Sequence, residues 1–158
     1  MALIIEAPNE IYSADNMHNK SIFLAGGISN CPDWQSKVAD GLKDMRNVTI
    51  YNPRRKNFVD DPQTTEEQIT WEFIQLMGAD VILFWFSKGS VNPIVLYELG
   101  MWGNSRPEVP ILIGCDKGYE RTKDVIIQTK LARPDLEIYD NLDDIICDAV
   151  HLLHPIQW

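Results

Sequence analysis

The chain is poor in cysteine and in histidine. Its 158 residues include three of each, and Cys31, Cys115 and Cys147 are odd in number and far apart, with no CxxC pair. That excludes a disulfide framework and a cysteine-based metal cluster, and it fits a reducing compartment, the cytoplasm. His18, His151 and His154 lie at the two ends of the chain, which leaves little for a histidine triad or a zinc site; no metal is expected. Cations are few as well: 14 Lys plus Arg stand against 23 Asp plus Glu, a formal net charge of -9. Binding a phosphate backbone takes clustered Lys and Arg, so no nucleic-acid partner is expected. No apolar run approaches the roughly 18 residues of a membrane span, and no membrane partner is expected either. The first twenty residues have neither a basic start nor a long apolar core, so no signal peptide is read there. Neither GxGxxG nor GxxxxGK[ST] occurs; dinucleotide and P-loop fingerprints are absent, and no organic cofactor is expected.

What is present describes one globular domain spanning residues 1–158, with 45% hydrophobic and 23% charged residues. That balance excludes disorder, collagen and coiled coil. Short apolar runs rich in β-branched and aromatic residues occur at Ser21–Ala25, Val48–Tyr51, Asp80–Phe86, Val109–Ile113 and Leu136–Tyr139. Their length and composition predict buried strands. Between them lie helical stretches at about 32–46, 64–78, 93–104, 121–132 and 141–153. Thr64-x-x-Glu67 and Thr65-x-x-Gln68 read as capping boxes, and Asn92 before Pro93 reads as a capping residue before a first-turn proline. Strands joined by helices make a parallel sheet, and right-handed crossovers cover both of its faces. The expected fold is a three-layer, doubly wound α/β domain with five parallel strands in flavodoxin-like (Rossmann-like) order. Residues 1–18 read as an edge strand or an arm, and 150–158 as an apolar tail in which Trp158 docks on its own domain or on a partner.

In such a sheet ligands bind beyond the carboxyl ends of the strands. The loops of interest are therefore Gly26–Pro32, Asn52–Pro62, Ser87–Asn92 and Gly114–Glu120. Gly26 and Gly27 follow the first buried strand, where glycine permits either a tight turn or a close approach of backbone to ligand. Arg54, Arg55 and Lys56 follow the second, where they either hold a phosphate or carboxylate or form a solvated basic turn paired with Asp60 and Asp61. Ile69, Phe73, Leu76 and Met77 form one helical stripe with Glu72 at its border beside Trp71. Asp80 opens the most hydrophobic strand at its amino end, remote from the ligand edge, and reads as a corner. Glu98 lies among Ile94, Val95, Leu96, Tyr97, Leu99, Met101 and Trp102, with no Lys or Arg between Lys88 and Arg106. Burying such a carboxylate is costly unless it is paired or functional. Glu72, Asn92 and Glu98 converging on one cavity would supply a carboxylate nucleophile with acid–base and sugar-binding helpers.

These elements resemble the nucleoside 2-deoxyribosyltransferases, in a divergent branch. Phe23-Leu-Ala-Gly-Gly27 is similar to that family's Tyr-Leu-Ala-Gly-Pro element. Glu72 stands eight positions before Asp80, as an acid does in the family, and Glu98-Leu-Gly100 matches its nucleophile motif. Tyr51-Asn-Pro-Arg-Arg55, Trp71-Glu72 and Phe84-Trp-Phe86 extend the likeness over roughly residues 20–130. The resemblance implies that Glu98 attacks the anomeric carbon of a (deoxy)ribosyl group and releases a nucleobase. The glycosyl ester then passes to another base or to water. It implies that Glu72 handles the nucleobase proton and that Asn92, where the family has an aspartate, binds sugar hydroxyls. It puts Asp124 near an asparagine contributed by a neighbouring subunit, hence a homo-oligomer. The implied substrate-binding positions are Phe23, Gly26, Gly27, Trp71, Asn92 and Asp124. Arg54, Arg55 and Lys56, with Ser87 and Ser90, would instead read a 5′-phosphate, the pattern of N-glycosidases that hydrolyse nucleoside monophosphates. Phe23 replaces a tyrosine that orients the nucleophile. That loss and the one at Asn92 leave a non-catalytic nucleotide sensor as a further alternative; a flavin or other redox domain has only the fold in its favour.

Overall fold

The computed structural model describes residues 1–10 and 16–154. Its elements are β1 (Leu3–Glu6), β2 (Lys20–Gly26), α1 (Trp34–Leu42), β3 (Val48–Asn52), α2 (Pro62–Gly78), β4 (Val81–Phe86), α3 (Pro93–Ser105), β5 (Ile111–Cys115), α4 (Thr122–Ala132), β6 (Ile138–Tyr139) and α5 (Leu142–Leu153). The sheet has six strands in the order β1-β3-β2-β4-β5-β6, and every pairing is parallel. The strands expected from sequence keep flavodoxin-like order among themselves. The sixth is β1, an edge strand in register with β3 from Leu3 beside Thr49 to Glu6 beside Asn52. Its four residues are mostly half-exposed, too short and too little buried to separate from an arm by pattern alone. Residues 155–158, and with them Trp158, lie outside the described residues; 150–153 belong to α5.

Alternation along the strands builds two cores. Phe23, Ala25, Phe84 and Phe86 face Trp71, Val95, Trp102 and Val125 of α2, α3 and α4. Ile22, Leu24, Leu83 and Trp85 face Trp34, Val38, Ile145 and Ala149 of α1 and α5. At the start of β4, Asp80 Oδ2 accepts hydrogen bonds from Ser21 N and Oγ, both at 2.8 Å. It clips two strands together at the corner expected of it. Among the described residues no helix is long and apolar enough to cross a membrane.

Three local expectations need correction. The N-cap of α2 is Asp61, whose side chain accepts from Thr64 N at 3.0 Å with Pro62 in the first turn. Asp61-Pro62 starts the helix before either threonine box is reached. The α2 stripe is not a core face: Leu76 is buried, but Ile69, Phe73 and Met77 are exposed, because the helix turns Gln68, Trp71 and Gln75 inward. Asn92 occupies the N-cap position of α3 without capping it. Its backbone is left-handed (φ 52°, ψ 54°), and that turn sends its amide back into its own loop.

Candidate functional site

The chain crosses from one side of the sheet to the other at β2 and β4, and the crevice beyond their carboxyl ends is where a doubly wound sheet offers a site. A cavity of about 390 Å³ opens there. Its walls are the loop after β2 (Gly26 to Ser29), the loop after β3 (Pro53, Arg55, Phe58), one side of α2 (Thr65, Gln68, Ile69, Glu72) and the approach to and start of α3 (Ser90, Asn92 to Val95, and Glu98). Phe23 and Ala25 form its floor.

The first wall is held by a relay of polar groups. Trp34 Nε1 and Gln35 Nε2 donate to Gly27 O at 3.1 and 3.4 Å. Arg54 Nε donates to Gln35 Oε1 at 2.9 Å, while its Nη2 donates to Pro32 O at 2.9 Å and Cys31 O at 3.3 Å. Glycine is required here for space. A Cβ on Gly27 would lie 1.9 Å from Asn92 Oδ1, and one on Gly26 would lie 2.3 Å from the Trp34 ring and 2.6 Å from Trp85 O. Backbone Trp85 O has no freedom to yield, so Gly26→Ala is expected to cost about 3 kcal/mol by overpacking. That corresponds to a drop of roughly 6–12 °C in Tm for a chain of this size. Thermal melting checks it; an unchanged Tm would contradict this close packing.

The α3 wall depends on Asn92. Its Nδ2 donates to Ser87 O at 3.0 Å and Ser90 O at 2.8 Å, and the Cys31 thiol lies 3.6 Å from its Oδ1. Tyr119 Oη donates to Val91 O at 2.7 Å and pins the same loop. So held, α3 turns Glu98 in its second turn toward the cavity.

Two carboxyl groups face this space. Glu98 makes no hydrogen bond or ion pair among the described residues. Burial pushes its pKa up to about 8, and the negative charge of Glu72 adds to the rise. Glu72 is raised too, by burial, while the hydrogen bond from Gln68 Nε2 at 2.8 Å opposes the rise. Two acids that repel in one desolvated cavity hold a single proton between them over a range of pH. Such a pair supplies one ionised oxygen for attack and one acid for a leaving group.

The structure brings Phe23, Gly26, Gly27, Arg55, Glu72, Ser90, Asn92 and Glu98 to this cavity. The other expected residues are elsewhere. Trp71 is 3% exposed, packs behind Phe23 with ring centroids 6.1 Å apart, and donates from Nε1 to Asn9 O. It is a core residue that ties down the N-terminal segment. Ser87 is fully buried at the strand end and does not line the cavity. Arg54 is spent on the β2 loop and on Asp33, at 3.3 Å. Asp124 lines a separate cavity of about 540 Å³ between α3 and α4 and pairs with Arg121 at 3.8 Å. That larger cavity holds no opposed acid pair. The basic turn does not pair with Asp60 and Asp61: Arg55 binds Glu67 at 2.9 Å and Lys56 reaches Glu6 at 3.5 Å. Sequence reasoning missed Gln68, although its position one turn before Glu72 on the same helix was the available signal.

Cys147, Asp148 and His151 on α5 bring ligand atoms within 4.8 Å of one another. None of them lines the cavity.

A family model described as nucleoside 2-deoxyribosyltransferase like matches residues 19–119. The match covers β2 to Tyr119, and thus both acids and every wall of the cavity. No curated protein matches the chain.

Proposed function

This chain belongs to the nucleoside 2-deoxyribosyltransferase-like family, and from that premise we propose that it breaks the N-glycosidic bond of a (deoxy)nucleoside through a covalent glycosyl–Glu98 intermediate. The observation that carries the reading is Glu98 itself: a carboxyl desolvated in a cavity at the switch point, with a second acid beside it and no ion pair of its own among the described residues, the one cation on the wall, Arg55, being paired with Glu67. A group with that environment is costly for folding and suited to attack on an electron-poor carbon. Glu98 displaces the base at C1′, and Glu72 protonates the departing nitrogen. The ester then passes to an acceptor base or to water, in the two-step logic of a retaining glycosidase. The small cavity suits a nucleoside or nucleotide as the partner molecule. Asn92 Oδ1, whose one hydrogen-bond partner among the described residues is the weak thiol of Cys31, is the atom offered to a sugar hydroxyl.

Arg55 and Ser90 at the wall favour a second reading, a nucleoside 5′-monophosphate substrate cleaved by water. Nucleosides and monophosphates incubated with and without acceptor bases, with released base followed by chromatography, separate the two. Arg55→Ala is expected to weaken monophosphates about tenfold, the order of one charge-assisted hydrogen bond, and to leave nucleosides unchanged. Equal effects on both would remove the phosphate reading. Binding without release, unaffected by Glu98→Ala, would favour a sensor.

A homo-oligomer fits the surface around the mouth. Phe73 and Met77 of α2 and Ile94 and Tyr97 of α3 are 48, 52, 63 and 67% exposed, an apolar face of the kind that packs against a partner. In such an assembly Asp124, remote from its own cavity, is the residue a neighbouring copy would bring. The three cysteines are free, which fits a reducing compartment such as the cytoplasm.

A further inference from the structure

Gln68 is the residue beside the acid pair for which no role has been assigned. It is 8% exposed and lines the cavity. Its Nε2 donates to Pro53 O and to Glu72 Oε1, both at 2.8 Å. A carbonyl oxygen only accepts, so Pro53 fixes which end of the amide is nitrogen. The two Nε2 hydrogens are then fully used, one on the loop after β3 and one on Glu72. Gln68 Oε1 is left buried without a partner among the described residues. An unmet buried acceptor weighs against folding. A side chain kept for packing alone would avoid that cost, so the pose points to the site.

We propose that Gln68 is the positioning residue for the acid: by engaging Glu72 through Oε1 it leaves Oε2 as the oxygen that carries the proton to the departing nucleobase. The inference rests on the glycosidic-bond reading above. The step balances. The C1′–N bond breaks and its electron pair stays on the base nitrogen. The Oε2 proton of neutral Glu72 moves to the base, and ionised Glu98 forms the bond to C1′. One negative charge is present before, on Glu98, and one after, on Glu72. Gln68 also lowers the pKa of Glu72 against its burial, which makes it a readier donor. The other charged groups on the cavity wall are Glu98 from α3 and Arg55 from the loop after β3.

Two substrates with the same sugar test this. An adenine nucleoside needs a proton on its leaving base, whereas an N7-methylated guanine nucleoside is a cation whose base departs neutral without one. For Gln68→Met, kcat on the adenine substrate is expected to fall about 100-fold, the lower end of a general-acid contribution. On the methylated substrate it is expected to change less than about threefold, since no proton transfer is lost. The alkaline limb of the adenine profile moves to higher pH, because Glu72 loses the donor that favoured its ionised form. The methylated substrate reports that the variant is folded; should Gln68→Met not fold, Gln68→Glu carries the same comparison. Equal losses on the two substrates, or no loss on either, would overturn the positioning role. Cleavage of neither by the unsubstituted protein would instead sink the underlying reading, and the inference with it.

Discussion

Glu98→Ala is expected to lower base release by roughly 10³-fold or more, the scale seen when a covalent nucleophile is removed. The size follows from the cavity's composition. Its other carboxyl, Glu72, is held through one oxygen by Gln68, and the Ser90 hydroxyl has no hydrogen bond to a base among the described residues, accepting instead from Asn92 N. The same side chain makes a second, independent forecast for stability. Its folded pKa of about 8 lies above the ordinary 4.5. A raised pKa means that the folded state binds the proton more tightly than the unfolded chain. This stabilisation is full below about pH 4.5 and is lost as pH rises through 8. Glutamine never ionises, so Glu98→Gln is expected to melt above the unsubstituted protein at pH 9 and close to it at pH 4.5. Melting curves across that range check the sign. A Glu98→Gln protein that lost stability specifically at high pH would mean that the carboxylate is paired in solution.

Glu72→Gln has the second-largest effect, and its signature is in the pH profile. The working state carries one proton on the pair: at rest it sits on Glu98, whose pKa is raised to about 8, and the reactive form is the tautomer with Glu98 ionised and Glu72 neutral. In the unsubstituted protein kcat/KM for an adenine nucleoside therefore falls above about pH 8, as the last proton leaves the pair. It also falls on the acid side, as a second proton arrives and the pair is left with no ionised carboxyl for the attack. With glutamine at 72 there is no acid, and the rate drops by about 10²–10⁴-fold. Burial, the main cause of the rise at Glu98, remains, but the added repulsion from Glu72 is gone, so Glu98 ionises at somewhat lower pH and the alkaline fall disappears into a plateau. A Glu72→Gln enzyme that kept the alkaline limb would show that a different group supplies the last proton.

The architecture was readable because each buried strand announces itself as a short β-branched or aromatic run. β4 is the extreme case, six fully buried residues from Val81 to Phe86. Glu98 was readable for a related reason, since it sits in an apolar helix where an unpaired carboxylate is anomalous; Glu72, in the more polar α2, was reached through the stripe it borders and the family resemblance. What failed depended on direction rather than on residue type. Arg54 and Arg55 are adjacent and chemically alike, yet the backbone sends one under the β2 loop to Gln35 and the other across to α2. Trp71 neighbours Glu72, but one residue along a helix is a turn of about 100°, which puts the indole in the core and the carboxyl in the cavity. Asn92 carried the right residue type for a cap and lost that role to its left-handed backbone, a property set by the loop it closes. Ile69, Phe73 and Met77 had the spacing of a core stripe; spacing identifies one face of a helix but not what lies opposite it.

The most direct measurement is the mass of the intact protein, quenched in acid during turnover of a slow substrate and followed by peptide mapping. The account predicts a fraction of molecules heavier by one sugar residue, with the adduct on the peptide containing Glu98 and lost on adding acceptor base or on longer incubation. Turnover with no adduct under conditions that trap the ester, or an adduct mapped to another side chain, would contradict it.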